Sequence, residues 1–289
     1  MAIKINKDNS EIIAYNEPGI PIYLQEGHLY HSPDYRYLCH WHEDIEFIYV
    51  LDGEMDYFVN GKSIPLKDGD MIIVNSGRLH YGYSDRQKDC HYYCAVLHPS
   101  LLTTNKKLLG KYVAPLTASS QPDYFLLPHT DAISKLMLSI YETKTSSSSC
   151  PELEVISLFQ NLWIQLYQRV LPPLRTETEV PNTDLATQRR MVSFIYQNYS
   201  SSITLDDIAN AGQVCRSKCC QIFKKYMGQS PMDFVNSYRL ESSQQLLEKT
   251  DLSITDIYLL CGFNHQSYFT KQFRLKYQCT PKEYRKQYR

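Results

Sequence analysis

Three histidines and a glutamate in the first third of the chain have the types and spacing of residues that bind metals or polar ligands. His40, His42 and Glu46 follow one another at even intervals, and His80 comes from a later segment. Even spacing places side chains on one face of an extended strand. If His80 converges on that face from another strand, three imidazoles and a carboxylate could bind a divalent transition metal. The same groups could instead form the polar wall of a small-molecule pocket, which is the interpretation we favour.

The segment that carries these residues is predicted to be a small β-barrel or jelly roll. Runs rich in Ile, Val, Tyr and Phe predict strands at Glu46–Leu51, Met55–Val59, Met71–Val74 and His91–Leu97. Turns are predicted at Asn60-Gly61, which favours a two-residue hairpin, and at Asp52-Gly53 and Asp68-Gly69-Asp70. Closely spaced strands with tight turns are typical of small barrels.

The same histidines belong to a longer pattern. The run His40-Trp41-His42-Glu43-Asp44-Ile45-Glu46 is followed by Gly53, and later by Gly69, Gly77 and His80. This set resembles the two sequence motifs of cupin domains, with Asn75 in place of the usual Pro of the second motif. The resemblance implies a cupin-like domain, which we assign to residues 1–128.

Two helical patterns follow the predicted barrel. Ala132–Lys144 has apolar residues at helical spacing, and a second pattern opens at Pro151. The apolar stripe of the second helix is wider than one amphipathic face needs, so this helix must pack on the barrel or form a dimer interface. We assign residues 129–171 to a helical dimerisation element. Residues 172–184, which carry three prolines and little apolar content, are predicted to be a linker.

The net charge of -1 conceals two halves of opposite sign. Residues 185–289 contain 15 Lys and Arg against 8 Asp and Glu, which gives +7, whereas the remaining 15 and 23 give -8. Such asymmetry suggests a polyanion-binding module joined to an acidic one. The start of the chain lacks the apolar core of a signal peptide, and no stretch approaches the ~20 apolar residues of a membrane span. We therefore expect a cytoplasmic protein without membrane contact.

The basic half contains an internal repeat. The segment from Ile208 to Phe223 resembles the segment from Ile257 to Phe273, and Ser230-Pro231 has its counterpart in Thr280-Pro281. Each copy has a short helix, a turn, a second helix with a polar face and a Ser/Thr-Pro step; a long helix is predicted at Met232–Lys249 between them. Two such helix-turn-helix units could place two recognition helices in successive segments of the DNA major groove.

Residues 230–286 resemble the DNA-binding domain of AraC/XylS-type transcription regulators. The matching features are Ser230-Pro231, Tyr238-Arg239-Leu240, Leu246-Leu247, Ser253-Ile254, Ile257, Gly262-Phe263, Ser267-Tyr268-Phe269, Phe273, Pro281 and Tyr284-Arg285. Gln213 and Cys215 stand where the family usually has Gly and a Ser cap, and Gln278 stands where Gly ends the last recognition helix. Because Cys is a poor N-cap, the first recognition helix is expected to start loosely and to contribute less to sequence reading than the second.

The resemblance implies which side chains face DNA. The expected base-reading groups of the two copies are Arg216, Ser217, Lys218, Cys220 and Gln221, and then His265, Gln266, Ser267, Thr270 and Lys271. Glutamine can pair with adenine, and arginine or lysine can reach guanine. We expect Lys224, Arg239 and Arg274, together with Lys225, to make phosphate or structural contacts.

In regulators of this family the cupin domain serves as an effector sensor. The expected effector-binding residues are Arg36, His40, His42, Glu46, His80 and Tyr92. No cofactor is expected to be required, although His40, His42, Glu46 and His80 could hold a divalent metal. The 24 tyrosines suit a sugar effector, and they are also ordinary strand residues.

The sequence thus predicts an α+β chain: a cupin-like β-barrel with a helical dimerisation element, and an all-α domain with two helix-turn-helix motifs at residues 185–289. We expect a ligand-responsive transcription regulator rather than an enzyme. Its partners would be promoter DNA, a small polar effector, a second copy of the chain and, for an activator, RNA polymerase. The alternatives are a metal-dependent cupin enzyme with an appended DNA-binding domain, and a protein-interaction scaffold without preference for any DNA sequence.

Overall fold

The computed structural model describes residues 10–11, 13–16, 19–117, 121–143, 149–170 and 183–288. Within them the chain forms two compact units, with the division between Thr183 and Asp184. Most of the predicted linker lies outside the described residues, and its last two positions already belong to a helix. No helix among the described residues is long and apolar enough to cross a membrane.

The first unit is built on antiparallel strands. Its strands are β1 (Ile22–His28), β2 (Ile45–Val59), β3 (Lys62–Lys67), β4 (Met71–Val74), β5 (His80–Tyr83), β6 (Cys90–Leu97) and β7 (Tyr124–Leu127). Five of them follow the order β1-β6-β2-β4-β7, and β3 and β5 pair with the far half of β2. The long strand β2 therefore links two groups of strands, as closure of a small barrel requires.

The turn predicted at Asp52-Gly53 is wrong, because β2 continues through it. The pairing of β2 with β6 shifts register between Val50 and Asp52, and Gly53 has φ +91. A side chain at Gly53 would lie 2.8 Å from the Asp89 carbonyl oxygen, so only glycine fits this bend. The irregularity is a β-bulge that bends the strand without ending it.

The predicted hairpin at Asn60-Gly61 is confirmed. Asn60 and Gly61 both have positive φ, at 44 and 89, and Val59 lies opposite Lys62. Positive φ at both central positions gives the turn that matches the twist of paired strands. This hairpin fixes the register of β2 against β3.

One face of the sheet packs on two helices, α3 (Ala132–Thr143) and α4 (Pro151–Val170). Phe47 contacts Phe159 with ring centroids 5.0 Å apart, so α4 packs back on the strands. Two apolar residues of α4 remain exposed, Leu153 at 67% and Ile164 at 55%. The short helices α1 (Lys106–Leu108) and α2 (Ala114–Thr117) flank a π-helical turn at Leu109–Val113. Single 3₁₀ turns lie at Leu29–His31, Pro33–Tyr35 and Pro99–Leu101.

The second unit is entirely helical in its described residues. Its helices are α5 (Thr183–Asn198), α6 (Leu205–Gly212), α7 (Arg216–Met227), α8 (Pro231–Lys249), α9 (Ile254–Leu260), α10 (Gln266–Tyr277) and α11 (Pro281–Tyr288). The long helix α8 contacts both pairs of helices, α6 and α7 as well as α9 and α10, and also α11. The predicted repeat is present as two helix-turn-helix units, α6–α7 and α9–α10, joined by α8.

Candidate functional site

The four residues predicted to converge do so in the first unit. His40, His42, Glu46 and His80 are all buried, and one ligand atom of each lies within 4.8 Å of the others. Backbone hydrogen bonds pair His40 with His80 at the start of β5, at 2.9 and 3.2 Å. The alternation of β2 turns Glu46 away from the helix-packed face that holds Phe47. The sequence interval and one cross-strand pairing together bring the groups into contact.

Backbone carbonyls fix the orientation of the three imidazole rings. The Nδ1 atoms of His40, His42 and His80 lie 2.8, 3.1 and 2.7 Å from the carbonyl oxygens of Leu38, Asp44 and Arg78. A carbonyl only accepts, so each Nδ1 carries a hydrogen. The Nε2 atom of each neutral ring is then an acceptor, and these atoms face the interior of the cluster. Burial and the neighbouring His80 lower the pKa of His40 to about 3, which keeps that ring neutral at pH 7.

The cluster is rich in acceptors and needs positive charge. The Nε2 atoms of His42 and His80 each lie 3.4 Å from Glu46 Oε2, and Nε2 of His80 makes no hydrogen bond among the described residues. Burial alone would raise the pKa of Glu46, but the charge of His80 and hydrogen bonding from His42 hold it well below its usual range. The hydroxyl of Tyr57 donates a further hydrogen bond to Glu46 Oε1.

The imidazole nitrogens and the carboxylate of this cluster are also suitable ligands for a metal ion. With metal–nitrogen bonds of about 2.1 Å, neighbouring ligands of a tetrahedral ion lie about 3.4 Å apart, which matches the separation of His42 and His80 from Glu46. Three imidazole nitrogens and one carboxylate oxygen are ligands that divalent first-row ions accept. A bound ion would satisfy the three lone pairs without additional protons.

A cavity of about 80 Å³ opens beside this cluster. His40, Glu46 and the predicted Tyr92 line it, whereas His42 and His80 lie behind Glu46. Its wall also contains the phenol groups of Tyr23, Tyr37 and Tyr57 and the thiol of Cys94. The hydroxyl of Tyr92 donates to that of Tyr37 at 2.5 Å.

Sequence reasoning missed Glu11, which comes from the segment before β1. Its backbone N–H donates to the Trp41 carbonyl at 2.8 Å, and its carboxylate lies 3.4 Å from His40 Nε2. Burial and the charge of Glu46 raise the pKa of Glu11 to about 7. No local pattern marks this residue, because its position depends on a contact between distant parts of the chain.

The side chain of Arg36, predicted to bind the effector, contacts Tyr83 and Asp85 and not the cavity wall. Its guanidinium lies over the Tyr83 ring, 4.3 Å from the centroid, and donates to Asp85 at 2.8 Å. Arg36 is not part of the cavity wall. The sequence could not show this because stacking on an aromatic ring of β5 competes with an inward orientation.

The second unit presents the two predicted recognition helices, α7 and α10. On α7, Arg216, Ser217, Gln221 and Lys224 are exposed, whereas Lys218 and Cys220 are half-buried. On and before α10, His265, Gln266, Ser267, Lys271 and Arg274 are exposed and Thr270 is half-buried, and together they line one concave surface. The opposite faces carry core residues such as Phe223 and Phe273. Both helices therefore have the polar face and buried face of a groove-reading helix.

In each unit the first helix begins with a side-chain cap, whereas the recognition helix does not. α6 and α9 both start with a capping box, from Thr204 to Asp207 and from Ser253 to Asp256. Neither recognition helix has a side-chain N-cap bond, since Cys215 and His265 make none. The missing N-cap bond that was predicted for α7 is therefore also missing at the start of α10.

Arg239, predicted to make a phosphate or a structural contact, is a structural residue. Its side chain is buried, with Nε donating to the Tyr199 carbonyl at 2.7 Å and Nη2 to the Ser201 carbonyl at 2.8 Å. The guanidinium also lies 5.8 Å from the centroid of the Phe263 ring. These bonds fix the connection between α5 and α6 on α8, and they leave Arg239 unable to reach a phosphate.

Two family models match the chain. The model of the AraC-like ligand-binding domain matches residues 23–167, just over half of the chain. A helix-turn-helix domain model matches residues 208–287. The cavity and the two recognition helices lie in these two regions respectively.

Relatives that align with most of this chain are also named as transcription regulators or activators. An uncharacterized HTH-type transcriptional regulator of Bacillus subtilis, YdeC, is 29% identical over 86% of this chain and 85% of its own length. The transcriptional activator RhaR of Mannheimia succiniciproducens is 23% identical over 93% and 92%. The lactose operon transcription activator of Staphylococcus xylosus is 24% identical over 82% and 81%.

Among solved structures, ToxT of Vibrio cholerae covers 92% of this chain and 97% of its own, with 13% identity and a TM-score of 0.45. An AraC-type DNA-binding domain of Chromobacterium violaceum covers 36% and 92%, with 33% identity and a TM-score of 0.34. On the two family-model matches, this chain belongs to the AraC family of DNA-binding transcription regulators that carry a ligand-binding domain.

Proposed function

We propose that the cavity beside His40 and Glu46 is the effector site, and that α7 and α10 enter successive segments of the major groove. The observation that carries the proposal is the concave polar surface of α10 around Gln266 and Lys271. A helix with core residues on one face and exposed amide, hydroxyl and cationic groups on the other matches the donor and acceptor pattern of base edges.

The exposed side chains would have separate roles. Gln221 and Gln266 would pair with adenine, and Arg216 and Lys271 with guanine, at roughly 1–3 kcal/mol of discrimination for each good pair. Ser217, Lys218, Cys220, His265, Ser267 and Thr270 would complete the two reading surfaces. Lys224 and Arg274 would hold phosphates and set the register of the helices.

The effector would be small and polar. The cavity offers phenol hydroxyls, two carboxylates and the imidazole of His40 as hydrogen-bonding groups. A sugar, which was expected from the abundance of tyrosine, remains a prediction. Binding would alter DNA affinity only to the extent that the effector prefers one arrangement of the chain over another.

The remaining assignments are also proposals. The exposed Leu153 and Ile164 on α4 support a homodimer formed through this helix, because exposed apolar side chains on one helix face favour association. We propose a cytoplasmic protein that regulates transcription without enzymatic activity, and that contacts RNA polymerase if it activates. Domain limits of 1–128, 129–171, 172–184 and 185–289 complete this interpretation.

The test is DNA binding by the full chain, measured by fluorescence anisotropy on a duplex selected from a random library and on a scrambled duplex. We expect tight binding to the selected duplex and a steep fall of both affinities between 50 and 200 mM salt, at roughly tenfold or more. The variant Gln266→Ala should lower the ratio of the two affinities. Equal affinity for both duplexes would contradict the proposal and favour a scaffold.

A second candidate function is a metal-dependent cupin enzyme, which the convergence of three Nε2 lone pairs on Glu46 favours. His40, His42, Glu46 and His80 would hold the ion, and the ion would supply Lewis-acid chemistry to a bound substrate. Elemental analysis of the purified chain, before and after dialysis against Zn²⁺, Mn²⁺ or Fe²⁺, tests this candidate. The variant His80→Gln is the control, and the absence of bound metal in both would eliminate it.

A further inference from the structure

The charged groups on the cavity wall are all of one sign. Glu11 and Glu46 both contribute carboxylates, and no Lys or Arg is among the described residues that line the cavity. Both carboxylates are largely removed from water, with side-chain exposures of 16% and 4%. Two carboxyl groups on one wall, with no Lys or Arg beside them, make the cavity complementary to a positively charged ligand, because a bound cation would pair with them away from water.

Three acceptors face the cavity from different elements. Glu11 comes from the segment before β1, Glu46 from the start of β2, and His40 from the segment that pairs with β5. His40 uses Nδ1 to donate to the Leu38 carbonyl, so its Nε2 atom is free to accept. This atom lies 3.4 Å from Glu11 Oε2, so a single N–H donor group in the cavity could reach both acceptors from one side.

The rest of the wall divides into aromatic and apolar parts. Tyr23, Tyr37, Tyr57 and Tyr92 surround the acidic end, and tyrosine faces attract cations through their ring electrons. Ile48, Met55 and Val96 form an apolar part that can contact hydrocarbon. The cavity thus combines a cation-accepting end with an apolar surface, in a volume of about 80 Å³.

We propose that the effector carries a primary ammonium group on a short hydrocarbon stem. An alkylammonium has three N–H donors, and the three acceptors are Glu11, Glu46 and His40 Nε2. The tyrosine rings would stabilise its charge and the apolar wall would contact its stem. This inference rests on the proposed function, since it names the chemistry of the effector at the same cavity.

Other ligand classes fit the wall less well. A carboxylate effector would place a third anion beside Glu11 and Glu46. A sugar would leave both carboxylates without a cation, and a metal ion would draw on His42 and His80, which lie behind the cavity wall. The ammonium pairs a positive charge with both carboxyl groups and needs only residues that face the cavity.

The experiment is isothermal titration calorimetry on the full chain with n-propylammonium chloride as the probe. Sodium propionate, n-propanol and glucose are the comparison ligands, and Zn²⁺ is titrated separately. We expect saturable heat for the ammonium, and affinity at least roughly tenfold weaker for the neutral alcohol of similar shape, because charge-assisted hydrogen bonds are lost. No binding is expected for propionate.

The variant Glu11→Gln should weaken ammonium binding by roughly tenfold or more. Glu54→Gln is the matched control, because Glu54 lies on β2 but is exposed and pairs with Lys88 outside the cavity. Thermal unfolding of both variants establishes that they fold. If Glu11→Gln does not fold, the comparison of ammonium with alcohol on the unaltered chain still decides the matter.

Two results would overturn the inference. Equal affinity for n-propanol and n-propylammonium would show that the charge is not recognised. Saturable binding of glucose, propionate or Zn²⁺ at the cavity without binding of the ammonium would eliminate the amine while leaving an effector site in place. Failure of the proposed function is separate, because it would show as an absence of cavity binding by every probe together with equal affinity for selected and scrambled DNA.

Discussion

The two helix-turn-helix units share one plan but hold their reading groups differently. In the first unit, Arg216 is ion-paired with Asp206, and Lys218 lies 2.9 Å from Asp184. In the second unit, Lys271 and Arg274 lie on an exposed concave surface, and among the described residues neither is in a close ion pair, although the charge of Arg274 acts on Glu283. The first recognition helix must therefore release a cation before that cation can reach DNA, whereas the second is ready to do so. Sequence reading by α10 should exceed reading by α7.

The units also differ in which turn carries glycine. The turn of the first unit has Gln213 in the left-handed region at φ 57, and its recognition helix ends at Gly228, φ 68. The second unit has the opposite arrangement, with Gly262 in the turn at φ 80 and Gln278 after α10 at φ 59. The backbone conformation is thus kept in both copies while the residue type varies. A non-glycine residue costs roughly 1–2 kcal/mol in this region, so each unit has one strained position.

The largest expected effect is a difference in stability between substitutions at Gly262 and at Gln213, the left-handed positions of the two turns. A side chain at Gly262 would lie 2.4 Å from the Tyr199 carbonyl oxygen, in addition to the cost of positive φ. We expect Gly262→Ala to lower the free energy of unfolding by roughly 3 kcal/mol or more. Gln213→Ala at the equivalent position should change it by less than about 0.5 kcal/mol. Urea unfolding of the full chain, followed by fluorescence, measures both, and equal losses would break the distinction between the turns.

The next effect concerns base recognition. Gln266→Ala should reduce discrimination between selected and scrambled DNA by about 1–3 kcal/mol, because an amide pairing with a base is lost. Gln221→Ala on α7 should reduce it by less. Anisotropy titrations of both variants at one salt concentration provide the comparison. A larger loss for Gln221→Ala would reverse the assigned roles of the two helices.

A smaller effect on DNA affinity should follow when Arg216 of the first unit loses its ion-pair partner. Asp206→Asn removes the partner of Arg216 and one negative charge from the unit that we propose to bind DNA. We expect affinity for the selected duplex to rise by roughly twofold to fivefold, since exposed ion pairs are worth about 0–1 kcal/mol. Glu241→Gln, which removes the partner of Lys276 in the second unit, is the matched control and should have little effect. An unchanged or lower affinity for Asp206→Asn would indicate that Arg216 does not reach DNA.

The smallest effect should appear at the strained glutamines. Gln213→Gly should raise the free energy of unfolding by about 0.5–1 kcal/mol, because glycine adopts positive φ without steric cost but loses more chain entropy on folding. The gain for Gln278→Gly should be smaller, because the Gln278 side chain donates to the Leu275 carbonyl at 3.1 Å and this bond is lost. Thermal unfolding of the single and double variants measures the changes, and Gly228→Ala is the control that should lower the free energy of unfolding. Destabilisation by Gln213→Gly would contradict the assignment of strain to this turn.

Patterns within one element predicted much of this structure. The hairpin at Asn60-Gly61, the strand Met71–Val74 and the repeat of the helix-turn-helix units each depend on residues that are close in sequence. Such features depend on local preference and periodicity, which the sequence displays directly. His40, His42 and Glu46 do converge as predicted, but a bend at Glu43 and Asp44 separates the two histidines from β2, so simple strand alternation does not explain the convergence.

The errors arose where distant contacts decide the outcome. Asp52-Gly53 has the composition of a turn, but pairing with β6 keeps it inside β2 as a bulge. Arg239 carries a charge that suggests a phosphate contact, yet the carbonyls of Tyr199 and Ser201 draw it into the core. Glu11 joins the cavity through a contact with the segment around His40. None of these partners is near in sequence, so periodicity could not reveal them.

The most direct test of the regulator is the pattern of DNA protection by the full chain. Hydroxyl-radical footprinting on a selected duplex should show two protected segments on one face of DNA, with centres about 10 base pairs apart, because α7 and α10 are joined by α8. Gln266→Ala should weaken only the segment that α10 contacts. A single uniform footprint, or one that moves freely along scrambled DNA, would contradict sequence reading by the paired helices.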